Sequence, residues 1–254
     1  MNNTTTAKDR SHLIDLAHRA CDAAVAVLQR AQAEAPVILS EIGRDIKLQA
    51  DRDAEEAALA VLRESSYPIL AEESGGQASA DAFWVLDPLD GTMNFSRGIP
   101  FYAVSIAFVE REQPILGVVH DLAREERFYG TLGNGAWCNH QPIHVSGVAE
   151  TGRAILATGF PLHHPLSEAT LAEYLHTAKK FKKIRMLGSA ALSLAYVAAG
   201  RVDAYWEEAI MFWDIAAGLA LVHAAGGWSE TQPLENPPFA CRVRAAARTS
   251  LWNL

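Results

Sequence analysis

Trp84-Val85-Leu86-Asp87-Pro88-Leu89-Asp90-Gly91-Thr92-Met93-Asn94-Phe95 is the stretch that organises the reading of this chain. An apolar run leads straight into two aspartates around a proline, then a glycine and a hydroxyl residue. The same arrangement recurs on either side. Ile69-Leu70-Ala71 ends in Glu72-Glu73, and Met211-Phe212-Trp213 precedes Asp214, which the pattern places at the N-cap of the next helix. Singly, each acid reads as a turn former, a surface carboxylate or a cap. Apolar runs that each deliver a carboxylate at their end predict convergence, and carboxylates a few ångströms apart repel unless they are protonated or metal-bound. Hard oxygen ligands of this kind suit Mg²⁺. Gly91-Thr92 can offer backbone N–H groups to a phosphate, so the pattern points to phosphoryl chemistry. The chain contains no GxxxxGK[ST] loop, which disfavours a nucleoside triphosphatase.

Around this stretch the elements follow from periodicity. Apolar residues at three- and four-residue spacing predict a long amphipathic helix from Ser11 to about Ala33, and a second, alanine-rich helix from Arg52 or Ala54 to Arg63. Short apolar runs then predict strands at Pro68 to Ala71, Phe83 to Leu86, Tyr102 to Val109, Ile115 to His120, Arg127 to Tyr129 and Ile155 to Thr158. Glycines at 130, 133 and 135 make Ile115 to Val145 read as an antiparallel meander. Helices return at Ser167 to Lys179, at Ser189 to Ala199 with Gly200 as its stop, and at Ile215 to Ala225 before Gly226-Gly227. Strands are expected at Val202 to Trp206 and Val243 to Ala247. The sum is an α+β layered protein of two lobes.

Composition removes other classes. Of 254 residues, 22 are Lys or Arg against 30 Asp or Glu, a net charge of −8, so nucleic acid is an improbable partner. The one dense basic run, Lys179 to Arg185, reads as a solvated face. Cys21, Cys138 and Cys241 form no CxxC pair, which argues against a zinc cluster or a disulfide framework and for a reducing compartment. No apolar stretch approaches a membrane span and the first residues lack a signal core, so a soluble, cytoplasmic protein is expected. His163-His164 reads as a loop, and Pro142 keeps His140 and His144 off a common helical face. Trp206, Trp213 and Trp228 read as core or interface aromatics.

The residues also carry a family resemblance. Trp84 to Phe95 resembles the first signature of the inositol monophosphatase family, a DPxDGTxNF pattern; Ala71 to Ser74 (AEES) is similar to its GEES element, and Trp213 to Gly218 (WDIAAG) to its second signature. Ala157 to Pro161 (ATGFP), Arg185 to Ala191 (RMLGSAA) and the AGG after the last helix fall in the matching order, so the resemblance spans the first helix to about Thr249. It implies a layered αβαβα sandwich of the inositol monophosphatase/fructose-1,6-bisphosphatase type. Residues 1–150 would form an N-terminal lobe carrying the metal-binding signature, and 151–254 a C-terminal lobe carrying substrate contacts and the last metal ligand, packed as one unit and commonly paired as a homodimer.

The resemblance further implies that Glu72, Asp87, Asp90, Asp214 and the carbonyl of Leu89 hold two or three Mg²⁺ ions, and that Thr92 and Asp51 orient the attacking water. It places Asp90, Gly91, Thr92, Gly188, Ser189, Ala190, Glu207 and Asp214 against substrate. The implied activity is Mg²⁺-dependent, Li⁺-sensitive hydrolysis of a small phosphomonoester by a metal-activated water, with inositol monophosphate leading. Histidinol phosphate, fructose 1,6-bisphosphate and 3′-phosphoadenosine 5′-phosphate are the alternatives. DGTMNF at Asp90 to Phe95, where the nucleotide-cleaving branch reads DGTKEF, favours the sugar or polyol branch. Some bacterial relatives act as transcription accessory factors, which supplies a binding-protein alternative. The chain departs from the pattern at Lys47 before Asp51, at Met93 and at Ala71, none of which removes a metal ligand.

Overall fold

The computed structural model describes residues 7–33, 38–42, 45–76, 78, 81–160 and 167–253. In chain order the elements are α1 (Ala7–Gln32), β1 (Ile38–Ile42), β2 (Asp45–Leu48), α2 (Gln49–Leu62), β3 (Ile69–Ala71), β4 (Gly75–Gly76), β5 (Ala82–Asp90), α3 (Thr92–Ser96), β6 (Ala103–Glu110) and β7 (Gln113–Asp121). There follow β8 (Glu126–Thr131), β9 (Gly135–Cys138), β10 (Gln141–Ile143), β11 (Ile155–Thr158), α4 (Glu168–Ala178), β12 (Lys183–Arg185), α5 (Ala190–Ala198), β13 (Ala204–Met211), α6 (Phe212–Ala224), β14 (Trp228–Pro233) and β15 (Ala240–Ala246).

One sheet has the order β10-β9-β8-β7-β6-β5-β3-β4, the other β12-β11-β13-β15-β14. Period-two alternation decides what lies on each face. On β5, Trp84 and Leu86 join Leu16, Leu28 and Leu62 of α1 and α2, while Phe83 and Val85 join Leu194, Ala217 and Leu221 of α5 and α6. On β13, Tyr205 faces α5 and α6, whereas Ala204 and Trp206 face Tyr174 and Ala178 of α4. The layers are therefore helix pair, eight-stranded sheet, helix pair, five-stranded sheet, helix: the αβαβα sandwich. Both faces of the central helix pair are covered, so α5 and α6 are apolar all round rather than amphipathic.

Some boundaries differ from the expectation. Helix α2 begins at Gln49, three or five residues before the expected Arg52 or Ala54, and α6 at Phe212, three residues before Ile215. Asp214 is consequently not an N-cap residue: it lies inside the first turn, where one carboxylate oxygen accepts the Met211 N–H at 3.3 Å. Asp51 holds the equivalent place in α2 and accepts the Leu48 N–H at 2.8 Å. A carboxylate inside the first turn satisfies an orphan N–H and meets the positive end of the helix, which is why both helices start without a Ser or Thr cap. Strands β12 and β14 were not expected, because both are polar or exposed edge strands without an apolar run. The Lys179 to Arg185 run is largely solvent-facing, as its charge suggests, and Trp206 stacks on Tyr174 in the core. His163-His164 lies outside the described residues, as does the side chain of Lys47.

His120 on β7 is buried, and that burial, with Arg127 beside it, pushes its imidazole down to about 4 from 6.5, against the smaller opposing pull of Asp22. Arg127 directs Nε at the imidazole Nδ1 from 3.4 Å and pairs with Asp22 at 2.6 Å. Because the native ring stays neutral where the unfolded one protonates, stability is full above about pH 6.5 and falls as pH drops towards 4. The expected loss from this residue is about 3 kcal/mol. Urea melts of wild type and His120→Gln between pH 7 and 4 measure it; the variant should show the shallower pH dependence.

Candidate active site

Strands β3 and β5 are parallel neighbours in the register Ala71↔Leu86, so the residues that follow, Glu72 and Asp87, emerge side by side. The Glu72 N–H continues the ladder to the Leu86 carbonyl at 3.2 Å. Opposite them, α6 brings in Asp214. Ligand oxygens of Glu72, Asp87 and Asp214 all lie within 4.8 Å of one another. The pairing of β5 with β6 skips between Asp87 and Asp90, a bulge at Pro88-Leu89, where proline can give no ladder N–H. The bulge closes on itself: the Leu89 N–H donates to Asp87 Oδ1 at 2.9 Å, and the Thr92 hydroxyl donates to the Leu89 carbonyl at 2.9 Å. Gly91 sits at φ 91°, and a Cβ there would meet the Gly188 and Phe101 carbonyls at 3.1 and 3.0 Å.

The electrostatics are those of crowded acids. Burial, then Glu72, Asp90 and Asp214, push Asp87 well above the usual carboxylate range; burial, Glu72 and Asp90 do the same to Asp214. A pair of charges 4 Å apart repels by about 4 kcal/mol even at an effective dielectric near 20. A first-turn hydrogen bond such as that of Asp214 returns only about 1 kcal/mol. The three acids are thus held together by the fold against their own repulsion. Asp87 Oδ2 is buried with no donor facing it, an oxygen that neither helix nor sheet satisfies. Such an oxygen among converging carboxylates fits a hard divalent cation.

Asp90 is turned elsewhere. Its carboxylate accepts the Ser189 hydroxyl, the Ala191 N–H at 2.7 Å and the Ala190 N–H at 3.3 Å, all at the start of α5. Burial raises it to about 6, and those hydrogen bonds hold it from going higher. The helix N-terminus competes successfully for this carboxylate. Asp90 thereby joins the acid group to a second cavity of about 220 Å³, which Gly188, Ser189, Ala190 and Glu207 also line. Ser193 and Ile210 also line it, as do Thr158, Gly159 and Tyr205. The last three were not singled out from sequence; the ATGFP segment contained Thr158 and Gly159, and the residue two before Glu207 on the same strand face was the available signal for Tyr205.

Glu207 is a wall residue of that cavity rather than a surface acid. Its Oε2 accepts the Tyr205 hydroxyl at 2.5 Å, and burial pushes it up to about 7 against this bond and one from the Gly159 N–H. A Cβ on Gly159 would lie 2.2 Å from Glu207 Oε1, so a larger residue there would push the Glu207 carboxylate out of its place. A second bulge, between Glu207 and Ile210 on β13, turns the strand at this point. Across the seam between the sheets, the Asn94 side-chain amide donates to the carbonyls of Phe101 (2.8 Å) and Leu187 (2.9 Å), which ties α3 to the loop that carries Gly188.

Thr92 opens α3 directly after the bulge, and Asp51 sits in the first turn of α2. The Thr92 hydroxyl is directed at the Leu89 carbonyl.

The model of the inositol monophosphatase family matches residues 9–247. The chain belongs to that family. Phosphatase chemistry and a generally metal-dependent site follow from membership. An inositol-1-monophosphatase of Mesorhizobium japonicum is 41% identical over 192 residues, covering 72% of this chain and 71% of that protein. A protein of Xylella fastidiosa named Nus factor SuhB is equally similar, 41% over 194 residues, covering 75% and 70%. Among solved structures, the inositol monophosphatase of Anabaena superposes with a TM-score of 0.81 at 34% identity over 96% of this chain and 93% of its own. SuhB of Bartonella henselae gives 0.82 at 31% identity over 95% and 99%. The layered α+β fold is that of these structures. No helix among the described residues is long and apolar enough to cross a membrane.

Proposed function

We propose that this phosphatase hydrolyses a small phosphorylated polyol, with inositol monophosphate the leading substrate. The observation that carries the reading is the junction at Asp90 of a three-carboxylate group with a cavity walled by Glu207, Ser189 and Ala190. Glu72, Asp87, Asp214 and the Leu89 carbonyl would hold Mg²⁺ ions, two or three in number, with Asp90 at their edge. When bound, Mg²⁺ would supply polarisation of the phosphoryl oxygens and neutralisation of the leaving oxygen. The chain's own groups do the rest. Thr92, whose proton is directed to Leu89, leaves its oxygen lone pairs to accept a hydrogen bond from the attacking water. Asp51 is fixed in the first turn of α2 as the acceptor to which that proton transfers. Gly91 and Thr92 offer backbone N–H groups to the phosphate, and Gly188, Ser189 and Ala190 line the place for the alcohol.

The cavity is smaller than the roughly 300–1,000 Å³ of pockets for drug-sized ligands, which favours a polyol over a nucleotide. Burial holds Glu207 near 7, so at pH 8 it is mostly ionised, and in that form it accepts hydrogen bonds from ring hydroxyls and repels a second phosphate. Glu207→Gln is expected to raise KM for inositol monophosphate about tenfold or more, at roughly 1.5–3 kcal/mol per charge-assisted hydrogen bond, with kcat changed little. The decisive assay is phosphate release from a panel of phosphomonoesters and bisphosphates with Mg²⁺, with EDTA and with Li⁺. No release from any member overturns the reading; preference for a bisphosphate overturns the role of Glu207. Homodimer formation belongs to the same proposal and is read by sedimentation.

A second reading, an accessory role in transcription alongside catalysis, draws on the relatives named Nus factor SuhB. Retention of the elongation complex on immobilised wild type and on a catalytically inactive variant tests it.

A further inference from the structure

Glu55 belongs to neither the acid group nor the cavity, yet it is buried at 3% exposure on α2, four residues after Asp51 and so on the same helical face. Both of its oxygens are committed to the backbone of the turn after β3. Oε2 accepts the Glu73 N–H at 2.8 Å and Oε1 the Ser74 N–H at 2.8 Å. Two consecutive amides held by one carboxylate form a rigid two-point contact. Beyond Glu72, whose N–H still belongs to the ladder with β5, sheet pairing no longer defines the path of the chain until β4. The Glu55 contact defines it there. Glu72 is therefore pinned on both sides, by the Leu86 carbonyl before it and by Glu55 after it.

We propose that Glu55 is a positioning residue that aims the Glu72 carboxylate at Asp87 and Asp214, coupling the helix that carries Asp51 to the turn that carries Glu72. The proposal rests on the reading of Glu72 as a metal ligand. A glutamate suits the role where a glutamine does not, because the two partners are both N–H donors and a side-chain amide presents one acceptor and one donor. Groups that orient a ligating carboxylate without touching the metal typically alter metal affinity tenfold to a hundredfold.

Calorimetric Mg²⁺ titration of wild type, Glu55→Gln, Glu72→Gln and the exposed neighbour Glu56→Gln tests this. Glu55→Gln is expected to weaken Mg²⁺ binding about tenfold to a hundredfold, with KM for substrate at saturating Mg²⁺ within about twofold of wild type, and Glu56→Gln to change neither. Normal Mg²⁺ binding by Glu55→Gln beside impaired binding by Glu72→Gln overturns the positioning role and leaves the metal site standing. Normal binding by Glu72→Gln overturns both. Amide exchange in the wild type is independent of whether any variant folds: the Glu73 and Ser74 amides are expected to be protected before Mg²⁺ is added, and free exchange at both overturns the proposal.

Discussion

Asp87→Asn is expected to lower turnover on the order of 10³-fold or more while making the EDTA-treated protein more stable. The two effects have one cause. Asp87 is raised by burial and by Glu72, Asp90 and Asp214, and its Oδ2 is buried without a hydrogen-bond partner. Losing its charge removes several kcal/mol of electrostatic support for the cation-dependent reaction, and about 4 kcal/mol corresponds to 10³ in rate. Without the cation the same charge is a burden. An acid whose native pKa is raised binds more protons folded than unfolded from about pH 3.8 upward, so stability declines as pH rises through that window to the folded value. Asparagine has no proton to lose. At pH 8 in EDTA the variant should melt higher than wild type by several degrees, at about 2–4 °C per kcal/mol for a chain of this size, and the gap should close near pH 4. Near-normal turnover, or a sharply lower melting temperature at pH 8, would count against the convergence of these acids.

Gly117→Ala should act from the opposite side of the structure. Gly117 lies on β7 under α6, and a Cβ there would sit 2.3 Å from the Ala217 carbonyl oxygen. The obstacle is backbone, which no rotamer change relieves, so the helix must shift, and α6 is the helix that carries Asp214. The expected cost is about 3 kcal/mol, the upper part of the overpacking range, or roughly 6–12 °C in Tm. Mg²⁺ affinity should fall with it. Val118→Ala is the control: on the same strand, Val118 faces α1 and α2. It should lose about 2 kcal/mol of stability with Mg²⁺ affinity unchanged. Equal loss of metal affinity in both would refute transmission through α6.

The chemistry was legible in the sequence to the extent that it was written as local pattern. Leu86 before Asp87, Ala71 before Glu72 and Trp213 before Asp214 mark apolar runs that stop at acids, although in the fold Asp87 lies within β5 and Asp214 within the first turn of α6, and the layered class follows from the order of helix pair, meander and mixed helices and strands. Glu207 was named only through the family resemblance, since its distance along the chain from Asp214 carries no chemical signal of its own. Edge strands were not legible: Lys183–Arg185 and Trp228–Pro233 have no apolar run, and only the ladder to a neighbouring strand makes them strands.

By itself, then, the sequence determined which residues are apolar, where the runs stop and which acids stand at their ends, because these are properties of neighbours along the chain. Tertiary structure decided which acids meet. The pattern predicts that these acids converge, but their geometry comes from the fold: the parallel register of β3 with β5 sets Glu72 beside Asp87, and the close approach of α6 to Gly117 brings in Asp214. It also decided that Asp90 turns to the α5 amides, that the Thr92 proton lies on Leu89, and that Glu55, one more glutamate in an alanine-rich helix, holds the turn of Glu72. Hydrogen bonds between residues far apart in sequence form only once packing has removed the competing water, and for that reason they are decided by the folded core and not by the order of residues.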